Sequence, residues 1–483
     1  MKVLENLEPK SVFRFFEEIC GIPHGSHETK AISDYLVAFA VERGLKYRQE
    51  DGSNNVIIWK DATPGYENAP TVMIQGHMDM VCEKDPSCTK DMSKEGLDLF
   101  IDGNWIGARG TTLGGDDGIA VAIALAILDS SEINHAALEC VFTADEEVGL
   151  LGAQALDASD LKAKYMLNID SEKDKVLTVS CAGSIRAASA LPVKREAFDG
   201  PTYEVKVGGL SGGHSGEEIH LGRANANFLL GRTLNTILHT YDMRLIRCDG
   251  GNKENAIPRE STAIIRVASD LSLKEFVYKL ENELKYEYHT ADPELFISVN
   301  KIENTDDLWL PMDLDSTKRT SSFMFCVPDG LLKMSIDVED LVQTSTNLGR
   351  MYTEEDKVIY SFMMRSSVNS QNRETYERVA ALAELFGGTT TTFSSYSAWE
   401  YQPESKLRKV MTEAFNAVYD AQPKIEALHA GLECGIISGK IPGLDCISYG
   451  PDLIDIHTSR ERLHIASTWR IWNLTLETLK RLK

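Results

Sequence analysis

The segment Thr71-Val-Met-Ile-Gln-Gly-His-Met-Asp79 constrains the chain more than any other. Val72, Met73 and Ile74 are apolar on both faces, as in a strand buried within a parallel sheet. Gln75 and Gly76 are expected to end the strand, leaving His77 and Asp79 just past its C-terminal end. An open α/β sheet binds its ligands at that edge. A histidine two residues from a carboxylate suits a metal ligand and the group that fixes its tautomer. The same pair occurs in ordinary loops, so this segment alone does not decide function.

Two further buried strands end in the same way. Leu138–Thr143 leads into Asp145-Glu146-Glu147, and Tyr165–Ile169 leads into Asp170. Ahead of both, Gly114-Gly-Asp-Asp-Gly118 feeds the apolar run Ile119–Leu128, which reads as a buried helix. The helix dipole favours carboxylates at that position, so one of Asp116 and Asp117 is explained as a cap and the other is to spare. Acidic groups gathered at one sheet edge repel each other unless a cation holds them, and this convergence points to a metal site.

From about Ala182 the pattern changes to alternating strands and amphipathic helices. An α+β insertion is expected over residues 186–396, dividing a catalytic α/β domain into 1–185 and 397–483. Two sets of strands and helices follow one another in the insertion, although no sequence self-similarity proves a duplication. The insertion contains a glycine-flanked histidine, His214, in Leu210-Ser-Gly-Gly-His-Ser-Gly216. The tail returns to α/β character, with His457 following a strand and loop.

Totals narrow the class. The 483 residues are enough for two or three domains, and a net charge of −23 argues against nucleic acid or an anionic membrane as partner. The nine cysteines contain no Cys-x-x-Cys, so neither a disulfide framework nor a cysteine zinc knuckle is indicated. The N-terminus lacks the apolar core of a signal peptide, and Ile119–Leu128 is too short to span a bilayer. A cytoplasmic protein is expected.

His77-Met-Asp79, Gly115-Asp-Asp117, Asp145-Glu-Glu147, Asp170 and His457 stand in the order found in the M20 family of two-zinc peptidases, which the chain resembles over nearly its whole length. Gly212-Gly-His-Ser-Gly216, Asn255-Ala-Ile-Pro258, Ser345-Thr-Asn-Leu-Gly349 and His429-Ala-Gly-Leu-Glu-Cys-Gly435 resemble the aminoacyl-histidine dipeptidase branch. Many members carry a lysine where this chain has Gly118, a departure that fits the dipeptidase branch rather than the carboxypeptidases and deacylases.

The resemblance implies a doubly wound, zinc-peptidase-like catalytic domain with an inserted α+β lid, working as a homodimer. It implies that Asp116 bridges two divalent ions, that His77 and Asp170 complete one position, and that Glu147 and His457 complete the other. Zinc, cobalt or manganese suits such donors. Asp79 would orient His77, Glu146 would be the general base, and His214 would be the lid histidine that reaches an active site, in many members the partner subunit's. The expected substrate is a dipeptide. Its free carboxylate calls for an arginine fork; Arg365, after the strand-like run Val358–Met364, is the candidate, with Asn255 assisting and an ordinary surface arginine as the alternative. Rival readings are another amidohydrolase on the same scaffold and a metal-binding protein without catalysis.

Overall fold

The computed structural model describes residues 2–269, 271–305 and 308–483. The chain forms two compact units. The first comprises residues up to Ser180, Tyr401–Ala427 and Leu432–Lys483; the second comprises Cys181–Glu400 and Leu428–Gly431. These limits depart from the expected 185/186 and 396/397. The cause is the strand β4 (Gly183–Pro192), which belongs wholly to the second unit because it pairs along its length with Lys357–Ser366. Residues 428–431 join it there, since Ala182 N–H donates to the carbonyls of Leu428 and Ala430.

Among the described residues, the first unit has an eight-stranded sheet. Its central strands β1 (Val72–His77), β2 (Leu138–Thr143) and β3 (Tyr165–Asn168) run parallel, with β1 in the middle. Asp445–Ser448 adds a fourth parallel strand beside β3, while Val56–Lys60 lies antiparallel beside β2 on the other side, with Lys46–Gln49 at the edge. Every residue of the three central strands is buried, as the absence of alternation requires. The apolar helix α1 (Gly115–Asp129) packs against β1, and Lys10–Cys20 packs on α1. That first helix starts at Lys10, behind Pro9.

Two local expectations change. β1 runs through Gly76 to His77 rather than stopping at Gln75. Gly76 serves a close approach instead: a Cβ there would stand 2.5 Å from Asp117 Oδ2 and 2.6 Å from Ala120 Cβ. At the start of α1, Asp116 (φ −84°, ψ 100°) and Asp117 (φ −122°, ψ 28°) are not helical, so the two carboxylates are presented by a loop and not by a helical turn.

The second unit is built from two βαββαβ halves, a motif with a fixed strand order. The inner half is β5 (Thr202–Gly208), α2 (Ala226–Leu238), β6 (Met243–Gly250), β7 (Ser261–Val267), α3 (Leu273–Glu287) and β8 (Phe296–Ile302). The outer half is β4, α4 (Leu314–Cys326), β9 (Val342–Thr353), β10 (Lys357–Ser366), α5 (Asn369–Leu385) and β11 (Thr389–Tyr396). The strand order β8-β5-β7-β6-β9-β10-β4-β11 places each half's second strand beside the other's. The duplication that sequence did not show is therefore present in topology, with the inner half inserted between β4 and α4 of the outer one. Each half buries one face of its strands and its helices in a shared apolar core.

Candidate functional site

The expected ligands of the first unit come together at the C-terminal ends of β1, β2 and β3. His77 Nε2 lies 3.1 Å from Asp116 Oδ1 and 3.7 Å from Asp170 Oδ1. His457 Nε2 lies 3.2 Å from Asp116 Oδ2 and 2.9 Å from Glu147 Oε1. Two groups able to hold an ion, His77–Asp116–Asp170 and Asp116–Glu147–His457, thus share Asp116, one oxygen toward each; within each group the donor atoms lie within 4.8 Å of one another. A third such group, His77–Glu146–Glu147, brings Glu146 against the same centre. His457 (φ 58°) and Asp145 (φ 56°) hold left-handed backbone conformations, a strain that side chains other than glycine's adopt mainly where a site imposes it.

Asp79 contacts more than the His77 ring. His77 Nδ1 is 3.0 Å from the backbone carbonyl of Asp79 and 3.5 Å from its carboxylate. The carboxylate accepts bonds from Ser26 Oγ (2.8 Å) and from the backbone N–H of Glu146 (3.0 Å) and Glu147 (3.4 Å). One buried acid therefore joins the β1 end to the turn that carries both glutamates. Asp117 accepts the N–H of His77 at 3.2 Å, which fixes the same corner from the α1 side.

The charge here does not balance within the chain. Burial pushes Glu146 up to about 8, reinforced by Glu433, Glu147 and Asp116. Burial likewise drives Asp170 well above the carboxylate range, with Asp116 and Glu146 adding to it. His457 rises to about 10 through its bonds to Asp116 and Glu147. Burial pulls His77 down, but bonds from Asp116 and Asp79 outweigh it and leave the ring well above the usual histidine range. Oxygen and imidazole donors in mutual repulsion fit divalent cations, and no thiolate lies in any of the three groups.

Two acids that sequence reading left without a role border the centre. Glu433 Oε2 accepts from Gln75 Nε2 and from Thr143 Oγ1 (2.5 and 2.6 Å), and Asn168 Nδ2 donates to Gln75 Oε1 (2.6 Å). The network ties the ends of β1, β2 and β3 shortly before each delivers its ligand. Glu461 bonds the Asp116 loop. Glu433 lies in the His429–Gly435 motif and Glu461 four residues after His457, but only the fold reveals their partners.

In the second unit, the ribbon Gly213–His214 pairs with Ala256–Ile257, bringing Asn255 beside His214; the Asn255 carbonyl accepts Ser215 N–H at 2.9 Å. Arg365 is not the surface residue of the alternative reading. It lies within β10 and is 3% exposed, with no carboxylate within 4 Å among the described residues and with Nε unpaired. Its guanidinium is 3.5 Å from His214 Nε2 and 3.5 Å from Tyr396 Oη. His214 Nδ1 accepts Glu217 N–H (3.2 Å), and burial together with Arg365 lowers the ring's proton affinity. The neutral ring then carries its proton on Nε2, so two donors face one place and need an acceptor there. His429 packs nearby, bonded to Ser345 Oγ at 2.7 Å and held neutral by burial and by Arg365, its pKa lowered to about 3.

The sequence profile of peptidase family M20/M25/M40 matches residues 73–481. The chain belongs to that family. It is 35% identical over 486 aligned positions to the cytosol non-specific dipeptidase of Escherichia coli (strain K12), covering 100% of this chain and 99% of that one. The crystal structure of aminoacylhistidine dipeptidase from Vibrio alginolyticus superposes with a TM-score of 0.90 at 34% identity, covering 99% of this chain and 97% of that one. Aminopeptidase PepT from Bacillus cereus ATCC 10987 shares the M20 fold at a TM-score of 0.56 and 16% identity, over 99% of both chains. As a member of a peptidase family the chain is a hydrolase. Among the described residues no helix is long and apolar enough to cross a membrane.

Proposed function

We propose that this protein is a cytosolic two-metal dipeptidase that cleaves Xaa-His and other dipeptides with free termini. The observation that carries the reading is the pair of ligand groups sharing Asp116 with Glu146 beside them; full-length similarity to two dipeptidases supports the substrate class. His77, Asp116 and Asp170 would hold one ion and Asp116, Glu147 and His457 the other, with zinc, cobalt or manganese suited to these donors. Such a pair, when bound, acidifies a water and polarises the scissile carbonyl.

The remaining work falls to the chain. Glu146 takes the proton of the attacking water and returns it to the leaving amine. Asp79 keeps His77 and the Glu146–Glu147 turn in register. His214, neutral with its proton on Nε2, donates to the oxyanion of the tetrahedral intermediate. Arg365 receives the C-terminal carboxylate through its planar fork, with Asn255 assisting at the substrate backbone. The second unit acts as the lid, and the working assembly is a homodimer, as light scattering can check.

A panel of dipeptides, tripeptides, dipeptide amides and N-acyl amino acids tests this on protein reconstituted with each metal, with metal content measured on the same samples. Dipeptides, β-alanyl-histidine included, should be cleaved, whereas tripeptides and amides should be poor substrates. Hydrolysis confined to N-acyl amino acids, or full activity in metal-free protein, overturns the proposal.

A further inference from the structure

Glu461 has no part in the chemistry above, yet the Asp116 loop is shaped around it. The side chain is 2% exposed. Its Oε2 accepts the N–H groups of Leu113 (2.8 Å) and Gly114 (3.1 Å), and its Oε1 those of Gly115 (2.8 Å) and Asp116 (3.3 Å). Four successive backbone donors converge on one carboxylate, whose two oxygens offer about four lone-pair sites. The glycines make this possible. Gly114 takes φ +66°, and a Cβ on Gly115 would stand 3.2 Å from Glu461 Oε1 and 2.7 Å from Leu453 Cδ2. Glu461 also lies in the turn that carries His457, its own N–H bonded to Thr458 O at 3.1 Å. The carboxylate therefore fastens the segment bearing His457 to the loop bearing Asp116.

We propose that Glu461 is a positioning residue that sets Asp116 between the two ion positions, so that affinity for both ions depends on it. The inference rests on the two-ion reading. Asp116 lies outside helical geometry, and the Glu461 carboxylate is the acceptor of its N–H. Each Asp116 oxygen faces a different histidine, so a displaced Asp116 weakens both positions together, whereas loss of His77 or His457 strikes one first. A glutamine at 461 would accept through one oxygen only and would turn an NH2 toward N–H donors.

The test is zinc titration by calorimetry on metal-free, full-length protein, with circular dichroism to establish the fold. Glu461→Gln is compared with Glu139→Gln as control. Glu139 is likewise 2% exposed and accepts the N–H groups of Lys162 and Ala163, but lies near the opposite end of β2. In Glu461→Gln both binding steps should weaken about tenfold or more, the scale of losing a ligand's supporting partner. Glu139→Gln should lower Tm and leave both steps in place. Wild-type affinity in folded Glu461→Gln, or weakening of one step alone, overturns the proposal. Should Glu461→Gln not fold, Gly115→Ala crowds the same contact while keeping the carboxylate, and the same outcomes decide. Fewer than two ions on the wild-type chain would instead overturn the reading beneath it.

Discussion

In the first unit, partly buried carboxylates crowd around two histidines and no arginine or lysine forms an ion pair with the expected ligands among the described residues. In the second unit, a buried arginine and two neutral histidines sit together and, among the described residues, no carboxylate meets the guanidinium. A buried ion without a partner costs several kcal/mol, so a fold retains one where a ligand supplies the partner. In the proposed reading, the contrast assigns cations to the acidic cluster and an anion to the guanidinium. Asp329 shows the other way out. It is half-buried in the second unit, where it accepts Leu348 N–H (2.8 Å) and Asn225 Nδ2 (2.9 Å), and burial raises its pKa to about 6, so below that pH it is largely protonated.

The contrast can be broken most sharply at Asp116. Asp116→Ala should release both ions and abolish hydrolysis, as metal analysis beside turnover will show; retention of two ions would end the shared-ligand reading. Next in size, Glu146→Gln should keep both ions and lower kcat by roughly 10²–10⁴-fold. Near-normal turnover in that variant would remove Glu146 from the base role. Arg365→Met addresses the cationic side. It should lower kcat/KM by roughly 10–100-fold, the loss of a charge-assisted bond worth about 1.5–3 kcal/mol, with metal content unchanged. If the variant is silent while amides are still rejected, another residue reads the carboxylate.

The smallest effect sharpens the exception. The folded pKa of Asp329 exceeds its ordinary value, so the native state holds the extra proton and stability falls as pH rises from about 4 to about 6. Asp329→Asn should change little at pH 4 and stabilise the second unit at pH 7, by an amount on the order of 2–3 kcal/mol. Denaturant titration at both pH values checks this; an equal effect at both would refute the protonation account.

The parts of this protein most visible in sequence are those that repeat one physical rule. Buried strands without alternation, each ending in His77, Glu146–Glu147 or Asp170, marked the sheet edge, and the apolar run after Gly118 marked α1. Resemblance supplied His457 and the second cation position. Burial of Arg365 was not legible, because an arginine at a strand end reads the same whether solvent or a cavity faces it. Glu461 and Glu433 escaped for a different reason: their partners are backbone amides and distant side chains, such as Gly115 N–H and Gln75 Nε2, which leave no spacing pattern. The duplication was hidden because a βαββαβ half is specified by which faces are apolar, and many residue choices satisfy that.

The nesting of one half within the other sets an order of assembly. The inner half draws all four of its strands from residues 202–302, so even its most distant pairing, Thr202 with Ile302, stays within that segment. β4, by contrast, must find Lys357–Ser366 across the whole inner half, with Gly183 opposite Ser366. Loop closure makes such distant pairings slow, and until they form β4 remains an open edge. The outer half thus depends on the inner one having collapsed and brought its flanks together. Substitutions inside β5–β8 would then reach farther in yield of soluble protein than their distance from either ligand cluster suggests.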